Sequence, residues 1–566
     1  MSQSIVQRVV LFDQDDPLVL TSGAVLPHVE VAYTTTGTLS PQRDNAVFIC
    51  HALTGDAEVG KWWSSLVGPG KPIDTDRFFV ICPNLLGGCQ GTTGPMSINP
   101  ETGESYGLDF PLLHMSDFVS VHRALTRHLG VERLYAAVGG SLGGMQILQW
   151  AHDAPGDFDH AVLVAATSRL TAQNIAFSAV AREAIMRDPE FHDGRYAGSG
   201  PGPRLGLAIA RMMAHITYVS DEALEEKFGR RLQETGEEAT PSADAMGMGI
   251  AFAVESYLDH QGRAFLDRFD ALSYLYLSRV MDYFDPFADQ QAAAQIASAG
   301  TRFLVISFDT DWRFDTRQSQ RIVRTLSDAG AAVTFREIRS PWGHDSFLLD
   351  VPQYQETVAA FLSPVRPQVD ARPELELIEN LIPAGSAVLD LGCGDGSLLA
   401  RLAIRGGSGS GVEIDPDSFL AAVQRGIDVL GEDIAVVLPT LPDDSYDTVV
   451  VSQTLQATQR PEEVLREAGR VGRQVVVSVP NFGHWRHRRD LLIRGRMPVD
   501  QSLPYTWFET PNVHLSTLRD LEELFAQLGL RIDRRVLLDR SGRELRGTSG
   551  ANVRAASAIY VLAAGD

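Results

Sequence analysis

Short apolar runs alternate with helical stretches along most of this chain, and that rhythm restricts it to an α/β architecture. β-Branched and aromatic runs at 6–12, 29–33, 46–50, 78–82, 134–138, 160–165, 302–308 and 332–338 are candidate strands. From the third onward they are nearly all apolar, as strands covered on both faces require. Strands that alternate with helices build a mostly parallel sheet. One gap breaks the rhythm. Between about 167 and 300 the periodicity is helical, at 205–218, 251–265 and 272–282. We expect a helical cap over about 168–299, inserted between two sheet strands.

The chain has 566 residues, and a single core stops growing near about 250–300 residues. A second domain is therefore expected. The segment from Ser363 to Pro373 carries three prolines and no periodicity, and reads as a linker. After it the αβ rhythm restarts, with strand patterns at 387–391, 411–414, 446–452, 474–479, 534–538 and 558–562. The expected division is 1–365, a linker at 366–374, and 375–566. No internal repeat is visible. The basic stretch from His484 to Arg489 reads as a solvated helix face.

Composition narrows the partners. Lys and Arg number 49 against 72 Asp and Glu, a formal charge of −23, which argues against nucleic acid or anionic lipid as the main partner. No apolar run reaches the roughly 18 residues of a spanning helix. The N-terminus shows no signal-peptide pattern. Cys50, Cys82, Cys89 and Cys393 form no CxxC pair or zinc spacing, so no metal is expected and a reducing cytoplasm fits.

Gly139-Gly140-Ser141-Leu142-Gly143 matches G-x-S-x-G, with an apolar run before it and a helical pattern after it. A strand–elbow–helix puts a serine on a strained turn with its hydroxyl above the sheet. Serine needs a base to take its proton. In this arrangement the acid and the histidine follow from loops after later strands. Asp311 follows the run 302–308 and His344 follows the last one. His344 would act as general base and then acid, with Asp311 holding its tautomer. Asp309 is the rival acid, and His51 reads as structural. Acyl transfer also needs donors for the developing oxyanion. The backbone N–H groups of Leu142 and of Leu53, in the loop after the third strand, are the candidates.

The blocks HALTGDAEVGKWW, GPGKPIDTDRFFVICPNLLGGCQGTTGP, GGSLGGMQ, FAVESYLDHQGRAF, DTDWRF and GHDSFLLD resemble the homoserine O-acyltransferases of methionine biosynthesis, the MetX-type branch with an α/β-hydrolase sheet. The resemblance spans about residues 5–362. It implies a double displacement without a cofactor: acyl-CoA acylates Ser141, and the homoserine hydroxyl then takes the acyl group. It further implies that Arg211 holds the homoserine carboxylate, that Asp345 holds its amine, and that the chain forms a homodimer. Independently, Arg211 interrupts the apolar run 205–213. A charge there needs a partner, and a guanidinium matches a carboxylate bidentately.

The family contains both acetyl and succinyl users. Arg313 lies two residues after Asp311, in DWRF. An arginine beside the acyl pocket neutralises the free carboxylate of a succinyl group and is left unpaired by acetyl. DWRF-type sequences resemble the succinyl users, so succinyl-CoA is the expected donor and acetyl-CoA the alternative. The triad alone would also permit a serine hydrolase. Arg211 with Asp345 favours the transferase.

In the second half, the segment from Val388 to Gly396 runs from a strand into a glycine-rich turn and a helix. Gly392-x-Gly394-x-Gly396 resembles the S-adenosylmethionine loop of Rossmann-like class I methyltransferases. Asp390, Gly392, Gly394 and Glu413 are the expected cofactor residues, with Glu413 at the ribose and Asp433 at the adenine edge. The blocks LDLGCGDG, GVEIDP, VVVSQTLQ, VPNFGHWRHRRDLLIRGRMPV and TPNVHLSTLRD resemble the methionine-biosynthesis protein MetW over about 375–565. Two readings compete: a methyl-transferring enzyme, or a regulatory module that binds S-adenosylmethionine or simply supports the acyltransferase. The supporting role is the expectation, since no catalytic base is identifiable.

Overall fold

The computed structural model describes residues 5–197, 200–233, 250–363, 372–500, 503, 505–547 and 549–564. The chain divides into two compact units, Met1–Leu362 and Ser363–Asp566.

The sheet of the first unit contains β1 (Gln7–Phe12), β2 (Val29–Thr36), β3 (Ala46–Cys50), β4 (Phe79–Pro83), β5 (Leu134–Gly140), β6 (Phe158–Val164), β7 (Arg302–Phe308) and β8 (Ala332–Ile338). Their spatial order is β1-β2-β4-β3-β5-β6-β7-β8. β1 and β2 pair antiparallel, as do β2 and β4. The other neighbours pair parallel. This is the α/β-hydrolase sheet with an antiparallel start. β3 is buried at every residue and β5 at all but one, which is why their sequences are continuously apolar.

Helices cover both faces. α1 (Met115–His128) and α2 (Leu142–Asp153) pack around Trp150, which meets Phe48 edge-on at 5.0 Å. Between β6 and β7 stand the cap helices α3 (Ala172–Met186), α4 (Arg204–Tyr218), α5 (Ala253–Phe265) and α6 (Ala271–Asp282). The last three lie where the periodicity predicts them. α3 escapes that reading because apolar residues lie all round it, leaving no clean stripe. A buried ion pair joins α3 to α6, Arg182 to Asp282 at 2.7 Å. Residues 234–249 of the expected cap lie outside the described residues. α7 (Thr316–Asp328) buries Ser319, Ile322, Val323 and Leu326 along one stripe and is capped by Asp315. α8 (Pro352–Leu362) closes the unit.

Most of the expected linker, 366–371, lies outside the described residues. Its end needs correction: Pro373 and Glu374 open a helix, α9 (Pro373–Leu381). A proline at the first helical position lacks only an N–H that the helix would not use.

The second unit contains β9 (Ala387–Leu391), β10 (Ser408–Val412), β11 (Asp428–Gly431), β12 (Tyr446–Ser452), β13 (Gly472–Pro480), β14 (Leu530–Leu538) and β15 (Ser557–Ala564). The order is β11-β10-β9-β12-β13-β15-β14, with β15 antiparallel to both neighbours. That is a doubly wound, methyltransferase-like sheet. β14 begins four residues before the sequence pattern because its first half is a polar edge with a bulge between Ile532 and Arg534. α10 (Ser397–Ile404) follows the glycine-rich turn. In the stretch at 484–489, Arg486, Arg488 and Arg489 face solvent, but His484 and His487 are buried.

Candidate active site

β5 ends at Gly140 and α2 starts at Leu142, so Ser141 alone makes the turn. Its φ of 57° and ψ of −123° are a strained conformation for a residue with a side chain. Ser141 N–H donates to Val164 O at 2.9 Å, which pins the elbow to the end of β6. The glycines beside it are sterically required. A Cβ on Gly143 would stand 2.0 Å from Cys50 O, and one on Gly140 would stand 2.5 Å from the Phe347 ring.

Two loops from the same edge of the sheet meet the serine. His344 follows β8 and Asp311 follows β7. His344 Nε2 lies 2.9 Å from Ser141 Oγ, and His344 Nδ1 lies 2.7 Å from Asp311 Oδ2. All three side chains are buried. Asp311 Oδ1 accepts from the N–H groups of Arg313 at 3.0 Å and Phe314 at 2.9 Å. One carboxylate oxygen thus fixes its own turn while the other fixes the imidazole. Phe314, Phe347 and Tyr218 ring the histidine at centroid distances of 5.1, 5.5 and 5.6 Å. Asp309 faces elsewhere and accepts from Ser340 N–H at 2.9 Å.

Leu142 N–H opens α2, and Leu53 lies in the turn after β3. Among the described residues neither N–H has a protein acceptor. His51 is buried in the framework: its ring nitrogen Nδ1 meets Ala52 O at 2.7 Å, and its carbonyl accepts from Gln146 at 3.0 Å.

Beside this relay lies a cluster of charge. Arg211, on α4, stacks over Phe265 at 4.8 Å and Tyr218 at 5.9 Å. Its buried Nη1 has no hydrogen-bond partner among the described residues. Burial lowers its pKa, opposed by Tyr218 and Asp345. Asp345 directly follows His344. Burial raises its carboxyl above the usual range, while the charges of His344 and Arg211 pull it back. Asp345 lines a pocket of about 430 Å³ with Val219, Leu224, Phe228, Tyr257 and Trp342. A buried guanidinium and a carboxylate without mutual saturation suit a small zwitterion.

Arg313 is buried rather than turned to solvent. It is 7% exposed, donates from Nη1 to Thr217 Oγ1 at 2.9 Å, and stacks over Tyr218 at 5.3 Å. Sequence reasoning missed Thr217 and Tyr218, the last residues of α4. The signal was present for Tyr218, since Arg211, His215 and Tyr218 follow i, i+4, i+7 on one helix face. His215 is a buried neutral ring, its pKa pushed down to about 3 by burial and by Arg211 and Lys227.

In the second unit, Gly392 and Gly394 have φ of 73° and 55°. A Cβ on Gly392 would stand 2.3 Å from Thr454 Oγ1. Asp390, at the end of β9, is buried with Oδ1 unpartnered among the described residues. Burial and the charge of Glu413 push its carboxyl up to about 7. Glu413 Oε2 accepts from Gly394 N–H at 2.8 Å. Asp433 is exposed and caps a short helix through Ala435 N–H at 2.8 Å. A buried carboxyl with one unpartnered oxygen, beside a glycine turn, fits a cationic nucleoside ligand. Glu413 and Asp433 both already accept backbone N–H groups, Glu413 from Gly394 and Asp415, and Asp433 from Ala435, and Asp433 is the weaker member because it is also exposed.

Two family models match the chain: "alpha/beta hydrolase fold" over residues 45–351 and "Methionine biosynthesis protein MetW" over 372–562. A "Bifunctional methionine biosynthesis protein MetXA/MetW" from Rhodopirellula baltica is 39% identical over 589 residues, covering 98% of this chain and 93% of that protein. The chain belongs to the MetXA/MetW family. The MetXA half alone has further relatives. A "Homoserine O-succinyltransferase" from Nocardioides sp. is 60% identical over 365 residues, 63% of this chain and 97% of that protein. A "Homoserine O-acetyltransferase" from Gluconobacter oxydans is 50% identical over 361 residues, 62% and 91%. Among solved structures, a homoserine O-acetyltransferase from Bacillus anthracis matches with TM-score 0.58 and 26% identity, covering 64% of this chain and 98% of that one. The first unit of the MetXA/MetW chain thus matches acyltransferases over more than nine-tenths of their own length. No helix among the described residues is long and apolar enough to cross a membrane.

Proposed function

We propose that this chain transfers the succinyl group of succinyl-CoA to the hydroxyl of L-homoserine through an acyl-serine intermediate. The observation that carries the reading is the hydrogen-bonded series Ser141–His344–Asp311 standing beside Arg211, whose buried Nη1 has no partner among the described residues, and the buried carboxyl of Asp345. His344 takes the Ser141 proton as Oγ attacks the thioester carbonyl. The N–H groups of Leu142 and Leu53 stabilise the oxyanion. His344 then protonates the departing CoA thiolate. In the second half it deprotonates the homoserine hydroxyl, which attacks the acyl-serine carbonyl; the bond from the acyl carbon to Ser141 Oγ then breaks, and His344 returns the proton to Ser141 Oγ. Arg211 holds the homoserine carboxylate and Asp345 its ammonium. Arg313 receives the distal carboxylate of the succinyl group.

The 60% identity to the Nocardioides protein named for succinyl transfer supports this donor. The acetyl reading draws on relatives such as the Gluconobacter protein. Steady-state rates of the full chain with L-homoserine and either succinyl-CoA or acetyl-CoA decide between them. The succinyl reading requires the higher kcat/KM for succinyl-CoA. Equal rates of CoA release with and without homoserine would instead indicate a thioesterase.

For the second unit we infer a supporting, S-adenosylmethionine-binding role. Asp390, Gly392, Gly394 and Glu413 would hold that ligand, which supplies a methyl cation equivalent when an acceptor is present. We assign no base for such a transfer. We further infer a cytoplasmic homodimer whose two units are separable domains joined by the proline-containing segment.

A further inference from the structure

The cap meets Arg313, in the loop after β7, through two buried hydrogen bonds: Asn174 of α3 donates to its carbonyl, and its guanidinium donates to Thr217 of α4. Arg313 brings a guanidinium into the interior, and among the described residues it has no carboxylate partner. Its side-chain hydrogen bond runs to a neutral oxygen, Thr217 Oγ1, at 2.9 Å. A buried cation held by a neutral group remains short of an anion.

Thr217 is built to be an acceptor at that point. It is fully buried in the last turn of α4. A hydroxyl has one proton and two lone pairs. Thr217 gives its proton to Ala214 O at 2.8 Å, so only lone pairs remain to face Arg313. The neighbouring residue, Tyr218, lays its ring 5.3 Å under the same guanidinium. From the backbone side, Arg313 N–H donates to Asp311 Oδ1 at 3.0 Å, and Arg313 O accepts from Asn174 at 2.8 Å and Gln318 at 3.2 Å. Main chain and side chain are both fixed, and the hydroxyl of Thr217 sets the direction of the guanidinium.

We propose that Thr217 is a specificity-determining positioning residue, which aims Arg313 at the distal carboxylate of a dicarboxylic acyl-CoA. The proposal rests on the succinyl-transfer reading. It also makes donor choice a joint property of cap and core, since α4 supplies the acceptor and the loop after β7 supplies the cation.

The test compares the full-length wild type with Thr217→Val, Thr217→Ser, Arg313→Leu and the Thr217→Val/Arg313→Leu double variant. Each is assayed with succinyl-CoA and acetyl-CoA at saturating homoserine. Valine keeps the branched shape and loses the acceptor; serine keeps the hydroxyl. Thr217→Val should lower kcat/KM for succinyl-CoA about tenfold, chiefly through KM, the size expected for a hydrogen bond to a charged group. Acetyl-CoA should stay within about twofold, Thr217→Ser should behave like wild type, and Thr217→Val should add nothing once Arg313 is leucine. Equal losses with both donors, or Thr217→Ser failing like Thr217→Val, would show a packing role and overturn the proposal. A wild type that prefers succinyl-CoA together with an unchanged ratio in Thr217→Val overturns this inference alone. A wild type that prefers acetyl-CoA overturns the succinyl reading and this inference with it.

Discussion

His344 Nε2 stands 2.9 Å from Ser141 Oγ although 203 residues separate the two in the chain. The contact exists because Ser141 follows the central strand β5 and His344 follows β8, and both loops emerge at the same edge of the sheet. The histidine is oriented from behind by Asp311, whose other oxygen already accepts two backbone N–H groups.

That division of labour predicts the effect of Asp311→Asn. The asparagine oxygen must stay on the N–H groups of Arg313 and Phe314, so its NH2 turns toward His344 and favours the wrong tautomer. We expect kcat to fall on the order of 10⁴-fold, as tautomer reversal does in serine enzymes of this kind, with the thermal midpoint little changed. CoA release measured by thiol titration checks it. A loss below about tenfold would remove Asp311 from the relay.

Arg211 and Asp345 should separate the two half-reactions. Arg211→Leu and Asp345→Asn should each raise KM for homoserine by about 30- to 1,000-fold, the usual effect of truncating one partner of a buried charge pair. The first burst of CoA release, which needs no homoserine, should keep its rate. Slowing of that burst by either variant would mean that the residue serves the donor instead.

The elements that could be read from sequence are those whose local pattern and tertiary role agree. β3 and most of β7 are apolar because both faces are covered, and the bounds of β3, β7 and β8 match the sequence runs. The G-x-S-x-G motif locates the elbow because only glycine tolerates the backbone of Cys50 and the ring of Phe347 at such short range. α3 shows no apolar stripe, since its buried face carries Asn174, Ser178 and Arg182 while Ile175 and Val180 are exposed. β14 was half hidden by its polar edge. Asp311 was favoured over Asp309, but spacing could not decide it; the Asx turn that fixes Asp311 is a tertiary fact. Thr217 carried no signal, because nothing in a sequence shows where its one proton goes.

Arg313→Leu should reverse donor preference. With the guanidinium gone, kcat/KM for succinyl-CoA should fall at least about tenfold, and acetyl-CoA should hold or improve as an uncompensated buried charge disappears. Parallel rates with both donors check it. Equal losses would mean that Arg313 only supports the turn of Asp311.

The second unit should show an inverted pH dependence at Asp390. Its carboxyl is pushed up to about 7 by burial and by Glu413, whereas an unfolded aspartate titrates near about 4. Between those values the folded state holds a proton that the unfolded state lacks. This contribution to stability is complete below about pH 4 and is lost as pH rises through about 7. Asp390→Asn should flatten that slope, followed by hydrogen exchange in β9, β10 and β12 of the full chain. The ionised carboxylate also favours a cation, so S-adenosylmethionine should bind more tightly at about pH 8 than at about pH 6 in wild type and not in Asp390→Asn. Identical pH profiles for the two proteins would place the titration elsewhere.

In the proposed reaction an acyl group is carried on Ser141 and handed to homoserine. Mass spectrometry of the full chain mixed with succinyl-CoA alone should show one succinyl adduct on the peptide containing Ser141. That adduct should vanish on adding L-homoserine, with O-succinylhomoserine appearing, and should be absent from Ser141→Ala. An adduct on a cysteine, transfer that persists in Ser141→Ala, or an adduct discharged equally fast by water alone would contradict the account.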